Sequence, residues 1–95
     1  MNNYEGVFIT RATLEKEAQE KLVEDIKGVL TKNKGEITQF QSWGKKKLTF
    51  LIKKQPEGVY YFTDFQLPPL ALKKAETTYR LNDDILRFLI IRKTA

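Results

Sequence analysis

Along this chain the apolar residues repeat with a changing period, and the order of those changes restricts its fold more than any other feature. From Tyr4 to Thr10 they fit a strand, with Val7 and Ile9 on one side and Phe8 on the other. A strand that is apolar on both sides belongs inside a sheet. From Leu14 the spacing changes to threes and fours: Leu14, Ala18, Leu22, Ile26, Val29 and Leu30 line one face of a helix. Thr13 is placed to cap that helix and Gly35 to stop it. Glu15 and Glu17 near its start, with Lys27, Lys32 and Lys34 toward its end, suit the helix dipole.

Extended structure returns over Glu36 to Trp43 and resumes from Lys45 to Ile52. Gly44 between them permits a bend or bulge, and no Asn-Gly or Asp-Gly pair marks a hairpin there, so one long kinked strand is expected. Within it Leu48, Phe50 and Ile52 alternate with Thr49, Leu51 and Lys53. Lys54-Gln55-Pro56-Glu57-Gly58 supplies the proline and glycine of a turn. A third strand, Val59 to Leu67, then sets Val59, Tyr61, Phe65 and Leu67 opposite Tyr60 and Phe62. Pro68-Pro69 ends it and opens a second helix, with Leu72, Ala75, Glu76 and Tyr79 on one side. After a loop at Asn82-Asp83-Asp84, Ile85 to Arg92 forms a last strand, with Leu86, Phe88 and Ile90 opposite Arg87, Leu89 and Ile91.

The order β-α-β-β-α-β predicts an α+β, ferredoxin-like fold: a four-stranded antiparallel sheet with two helices on one face, in a single domain spanning residues 1–95. The first and third strands become central and the second and fourth become edges. That places Lys45, Lys46 and Lys47 on one rim and Arg87 and Arg92 on the other.

Composition then narrows the chemistry. The chain has no cysteine and no histidine, which removes disulfides, thiolate ligands, the commonest zinc ligand and the commonest general base. No metal or cofactor is expected. The N-terminus lacks a basic segment followed by an apolar run, and no stretch approaches eighteen apolar residues, so a cytoplasmic protein without membrane contact is expected. The formal charge of +5 favours a polyanionic partner. From Trp43 through Lys54 stand five lysines and no acid. Lys45, Lys46 and Lys47, with Arg80, Arg87, Arg92 and Lys93 near the last strand, are the candidate RNA-binding residues, since lysine and arginine hold phosphates without reading sequence. Edge lysines also discourage strand-to-strand aggregation, and the arginines have Glu5, Asp83 and Asp84 as alternative partners.

Tyr4, Phe40, Trp43, Tyr60 and Phe62 interleave with this charge, and exposed rings on a sheet are how RNA-recognition modules stack single-stranded bases. A free-standing module of that kind is the alternative reading. Against it, Gly58-Val59-Tyr60-Tyr61-Phe62 lacks the aromatic directly after the glycine and the small residue after that. An acylphosphatase-like enzyme would need a phosphate-cradling loop after the first strand, but Arg11-Ala12-Thr13 contains no glycine. Asp83 and Asp84 are adjacent and diverge, so no acid/base pair forms and no enzyme is expected.

Tyr4-Glu5, Gly44-Lys45-Lys46-Lys47-Leu48-Thr49-Phe50-Leu51-Ile52-Lys53, Pro56-Glu57-Gly58-Val59-Tyr60 and Arg80-Leu81-Asn82-Asp83-Asp84-Ile85-Leu86-Arg87 together resemble the bacterial small-subunit ribosomal protein S-six family over nearly the whole chain. The family signature usually has a small residue where Thr49 stands and a tyrosine at Phe50, and Lys47 is a less usual choice there. The resemblance implies a non-catalytic structural protein, monomeric when free, that binds the central domain of small-subunit ribosomal RNA together with ribosomal protein S-eighteen. Phe40, Trp43, Lys46 and Lys47 on the second strand are then the implied partner-binding residues.

Overall fold

The computed structural model describes residues 2–52 and 55–93, with side chains throughout except at 49–52 and 55. The chain runs β1 (Asn2–Arg11), α1 (Lys16–Lys32), β2 (Glu36–Ile52), β3 (Gln55–Leu67), a short 3-10 turn (Pro69–Ala71), α2 (Leu72–Arg80) and β4 (Ile85–Arg92). The sheet order is β2-β3-β1-β4 and every pairing is antiparallel, so β1 and β3 are central as their two-sided apolar character requires. Tyr4, Phe8, Tyr61, Phe65 and Leu67 face the helices and are buried with Leu22, Ile26, Leu30, Ala75 and Tyr79. Among the described residues no helix covers the opposite sheet face.

Helix α1 begins at Lys16, not at Thr13, and its N-cap is Glu15 with no capping side chain. The reason lies in β1, which extends through Arg11: the Arg11 N–H donates to the Asp84 carbonyl at 3.0 Å. Residues 12–15 are therefore spent crossing from the sheet to the helix layer, and Leu14 reaches the core from that loop. Ala18, expected on the buried face, is exposed. Gln19 turns inward instead, donating to Thr10 Oγ1 at 2.8 Å and to the Tyr61 hydroxyl at 2.7 Å. At the other end the Gly35 N–H donates to the Leu30 carbonyl and the Lys34 N–H to the Thr31 carbonyl, the double bond of a Schellman cap. Lys34, with φ of 66°, takes the left-handed position there. Gly35 is needed for clearance, because a Cβ on it would sit 2.7 Å from the Leu30 carbonyl oxygen and 2.9 Å from that of Gln66.

Of the turn expected at residues 54–58, Lys54 lies outside the described residues and the rest is strand. Pro56, Glu57 and Gly58 lie inside β3, whose ladder to β2 runs through Ile52↔Gln55, Lys47↔Glu57 and Lys46↔Gly58. Residues 48–51 face the single residue Pro56, so the regular ladder is interrupted where proline has no N–H to donate. Gly58 is there because a Cβ would meet Ile9 Cγ2 at 2.6 Å across the sheet. Of the expected Leu48, Phe50 and Ile52 alternation, Leu48 is half-buried and the other two side chains lie outside the described ones.

Tyr79 joins the helix layer to the sheet. Its ring meets that of Phe8 edge-on at 4.8 Å, and its hydroxyl donates to the Ile26 carbonyl at 2.7 Å. Burial pushes ionisation of this phenol well above the ordinary 10.0. The folded chain thus keeps the proton where the unfolded chain loses it. Stability owed to this group is fully present below about pH 10 and falls as the pH rises beyond it. Urea denaturation between about pH 9 and 12 should show a steeper loss of stability for the native sequence than for Tyr79→Phe, which lacks the ionisable group. Parallel curves would refute the assignment.

Candidate functional site

Among the described residues strand β2 pairs with β3 alone, which leaves its other side as a sheet edge, and two irregularities decide which way its side chains near Trp43 point. The register slips by one residue between Ile37 and Gln39 and again between Ser42 and Gly44. Gly44 has a φ of 82°, a left-handed backbone that glycine adopts without steric cost. Residues at odd spacing on an unbroken strand point to opposite faces. The bulge cancels that rule for Trp43 and Lys46 and puts both on the open face of the sheet.

There the indole of Trp43 lies flat on the ring of Phe62, with centroids 5.3 Å apart and planes 4° from parallel. Its Nε1 donates to Gln41 Oε1 at 3.1 Å, which holds the ring in plane. The Lys46 ammonium stands 5.9 Å from the centre of the neighbouring Tyr60 ring. Trp43 remains 48% exposed, a large value for so apolar a side chain. Phe40, expected beside it, faces the other way: it packs against the core near Tyr61, with Lys27 over its ring at 4.8 Å.

The expected RNA-binding residues fall into two groups on opposite rims. Across the three strand intervals the rims are about 14 Å apart. On β2, Lys45 reaches Glu57 at 3.8 Å, whereas Lys46 and Lys47 have no acidic partner among the described residues. On the other rim Lys93 is held at 3.2 Å from Asp64 and 3.9 Å from Glu5. Arg87 and Arg92 are exposed on β4, and Arg80, at the end of α2, lies 5.8 Å from the ring of Phe88. Of the acids available to these cations, Asp84 is taken by Arg11 at 3.5 Å. Unneutralised charge therefore concentrates at Lys46 and Lys47 on one rim and at Arg80, Arg87 and Arg92 on the other.

Between the rims lies an apolar surface that the sequence reasoning did not single out. Val7 and Ile9 on β1 share the open face with Tyr60 and Phe62 on β3 and with Leu89 and Ile91 on β4. Leu89 is 58% exposed and Ile91 52%. The signal was present in the last strand, where Leu89 and Ile91 oppose Leu86, Phe88 and Ile90: an edge strand apolar on both sides has a second surface to cover.

The family model for ribosomal protein S6 matches residues 3–92 of the chain. The small ribosomal subunit protein bS6 of Thermoanaerobacter pseudethanolicus is 40% identical over 92 residues, covering 97% of each chain. That of Caldanaerobacter subterraneus subsp. tengcongensis is 38% identical over the same length. The crystal structure of 30S ribosomal protein S6 from Thermotoga maritima superposes with a TM-score of 0.91 at 31% identity, covering 97% of this chain and 87% of that one. The C-terminal domain of the MgtC protein from Mycobacterium tuberculosis, at a TM-score of 0.66 and 9% identity, shares the fold alone.

Proposed function

Because the chain belongs to the ribosomal protein S6 family, and is thus a structural protein of the small ribosomal subunit rather than an enzyme, we propose that it binds the central domain of small-subunit ribosomal RNA jointly with ribosomal protein S-eighteen. The observation that carries this reading is the common orientation of Trp43 and Lys46. One apolar anchor and one mobile cation share a face, next to Lys47, and such a pair serves a joint protein and RNA contact better than either class of residue alone. In this reading the open face from Trp43 to Ile91 is covered by the protein partner. Lys46 and Lys47 meet phosphate on one rim, and Arg80, Arg87 and Arg92 meet it on the other, with Lys45 and Lys93 as weaker contributors because each already has an acid. Phe40 contributes by holding β2 against the helices, not by touching the partner.

Titration of a central-domain RNA fragment at two salt concentrations, with and without ribosomal protein S-eighteen, tests this. Tight binding is expected only with the partner present, with a log–log salt slope of roughly −4, as the five free cations Lys46, Lys47, Arg80, Arg87 and Arg92 require. Equal affinity for arbitrary single-stranded RNA without the partner would replace the reading with a free-standing base-stacking module.

A further inference from the structure

The two sheet edges are built differently. Strand β2 carries three register shifts, the second of them at the Gly44 bend, and three consecutive lysines, all devices that spoil an edge for pairing. Strand β4 pairs regularly with β1 from Arg92 to Arg87, and its stretch from Leu86 to Ile91 contains no proline, glycine or acid. Among the described residues nothing pairs with its outer side. The Lys93 N–H donates inward to the Asn3 carbonyl at 2.8 Å. By the alternation of antiparallel pairs, the N–H groups of Arg87, Leu89 and Ile91 also point to β1, and those of Phe88, Ile90 and Arg92 point outward.

A groove of about 320 Å³ runs beside this edge, between Glu76, Tyr79 and Arg80 of α2 and Arg87, Phe88 and Ile90 of β4. We propose that the groove and the edge of β4 together take an extended peptide of alternating apolar and acidic residues, added as a fifth antiparallel strand. Main-chain bonds would come from Phe88, Ile90 and Arg92, which is the general mode of strand addition. Alternate apolar side chains of the peptide would enter the groove against Phe88 and Ile90, on the side where Arg80 and Arg92 also lie, while the acids between them would project to the open face and meet Arg87. Glu76 is the one acid lining the groove, against two arginines, so the site favours a negative occupant. A second copy of this chain is a poor fit, since it would bring the cations of two β4 edges together in a molecule of charge +5. This inference goes beyond the joint RNA contact, because its ligand is an acidic peptide.

The test uses the full chain and a fluorescein-labelled hexapeptide alternating valine with glutamate, followed by anisotropy, with amide shifts read by NMR. Saturable binding is expected, with the largest shifts at Phe88, Ile90 and Arg92. N-methylation of the peptide should weaken binding by about tenfold or more at alternate residues only, since every second N–H points at β4. Arg92→Pro, which removes an outward N–H at an exposed position, should weaken binding by a similar factor, while Arg92→Lys retains most of it. Amide shifts on the unmodified chain keep the inference testable if the proline variant fails to fold. Shifts that map to β2, no saturation, or equal sensitivity at every N-methyl position would each overturn it. So would displacement by oligouridylate of a peptide insensitive to N-methylation, which would mark the edge as a general anion surface.

Discussion

Replacing Phe8 by alanine is expected to destabilise the fold by about 3–5 kcal/mol, the cost of truncating a fully enclosed aromatic ring. Phe8 has no exposed surface, and its ring meets Tyr79 at 4.8 Å and Phe88 at 6.2 Å, so one residue of the central strand joins both helix α2 and the edge strand β4. Its neighbours are held by main-chain pairing, Phe8↔Tyr61 on one side and Phe8↔Phe88 on the other, and cannot collapse freely into the space left behind. A domain of this size has roughly 5–15 kcal/mol of stability in total, so the loss is a large share of it. Phe8→Leu keeps much of the apolar volume and is expected to cost about 1–2 kcal/mol. Chemical denaturation of the three proteins at one pH gives the comparison. A loss below about 1 kcal/mol for Phe8→Ala would mean that this ring cluster is not the centre of the core.

Trp43→Ala is expected to weaken association with ribosomal protein S-eighteen by about 2–4 kcal/mol, roughly 30- to 1000-fold in affinity, in the range of an interfacial aromatic anchor. The free chain should lose far less stability than this, because the indole is 48% exposed and, among the described residues, stacks on one ring, that of Phe62. Phe40→Ala provides the contrast. Phe40 packs on the helix side of the same strand, so its loss should lower stability by more than it lowers partner affinity per folded molecule. Calorimetric titration of the partner against each variant, with a denaturation curve for each, separates the two effects. If Trp43→Ala binds within twofold of the native sequence, the open face near β2 is not the protein contact.

Lys45, Lys46 and Lys47 owe their common rim to the order of elements but their separate partners to the pairing of β2 with β3. The β-α-β-β-α-β order was enough to place these lysines on an edge strand, and the sheet order bears that out. Which of them would be free was not legible, since the ion pair of Lys45 with Glu57 depends on the register of β2 against β3. Pro56 and Gly58 misled for a related reason. Proline and glycine are turn residues in isolation, but here one tolerates an interrupted ladder and the other makes room for Ile9, a residue 49 positions earlier in the chain. Gln19 was unreadable as an inward-facing residue because its partners, Thr10 and Tyr61, come from two different strands.

Local patterning by itself determined the order of elements, the two central strands, the bulge at Gly44 and the apolar stripe through Leu22, Ile26 and Leu30, because each follows from the period of neighbouring residues or the backbone freedom of one of them. Tertiary structure alone decided that Trp43 and Lys46 share a face while Phe40 turns away, and that Leu89 and Ile91 remain uncovered. A one-residue slip in register exchanges the two faces of a strand, and slips are set by pairing between segments far apart in the chain. No periodicity along a single segment can report that choice.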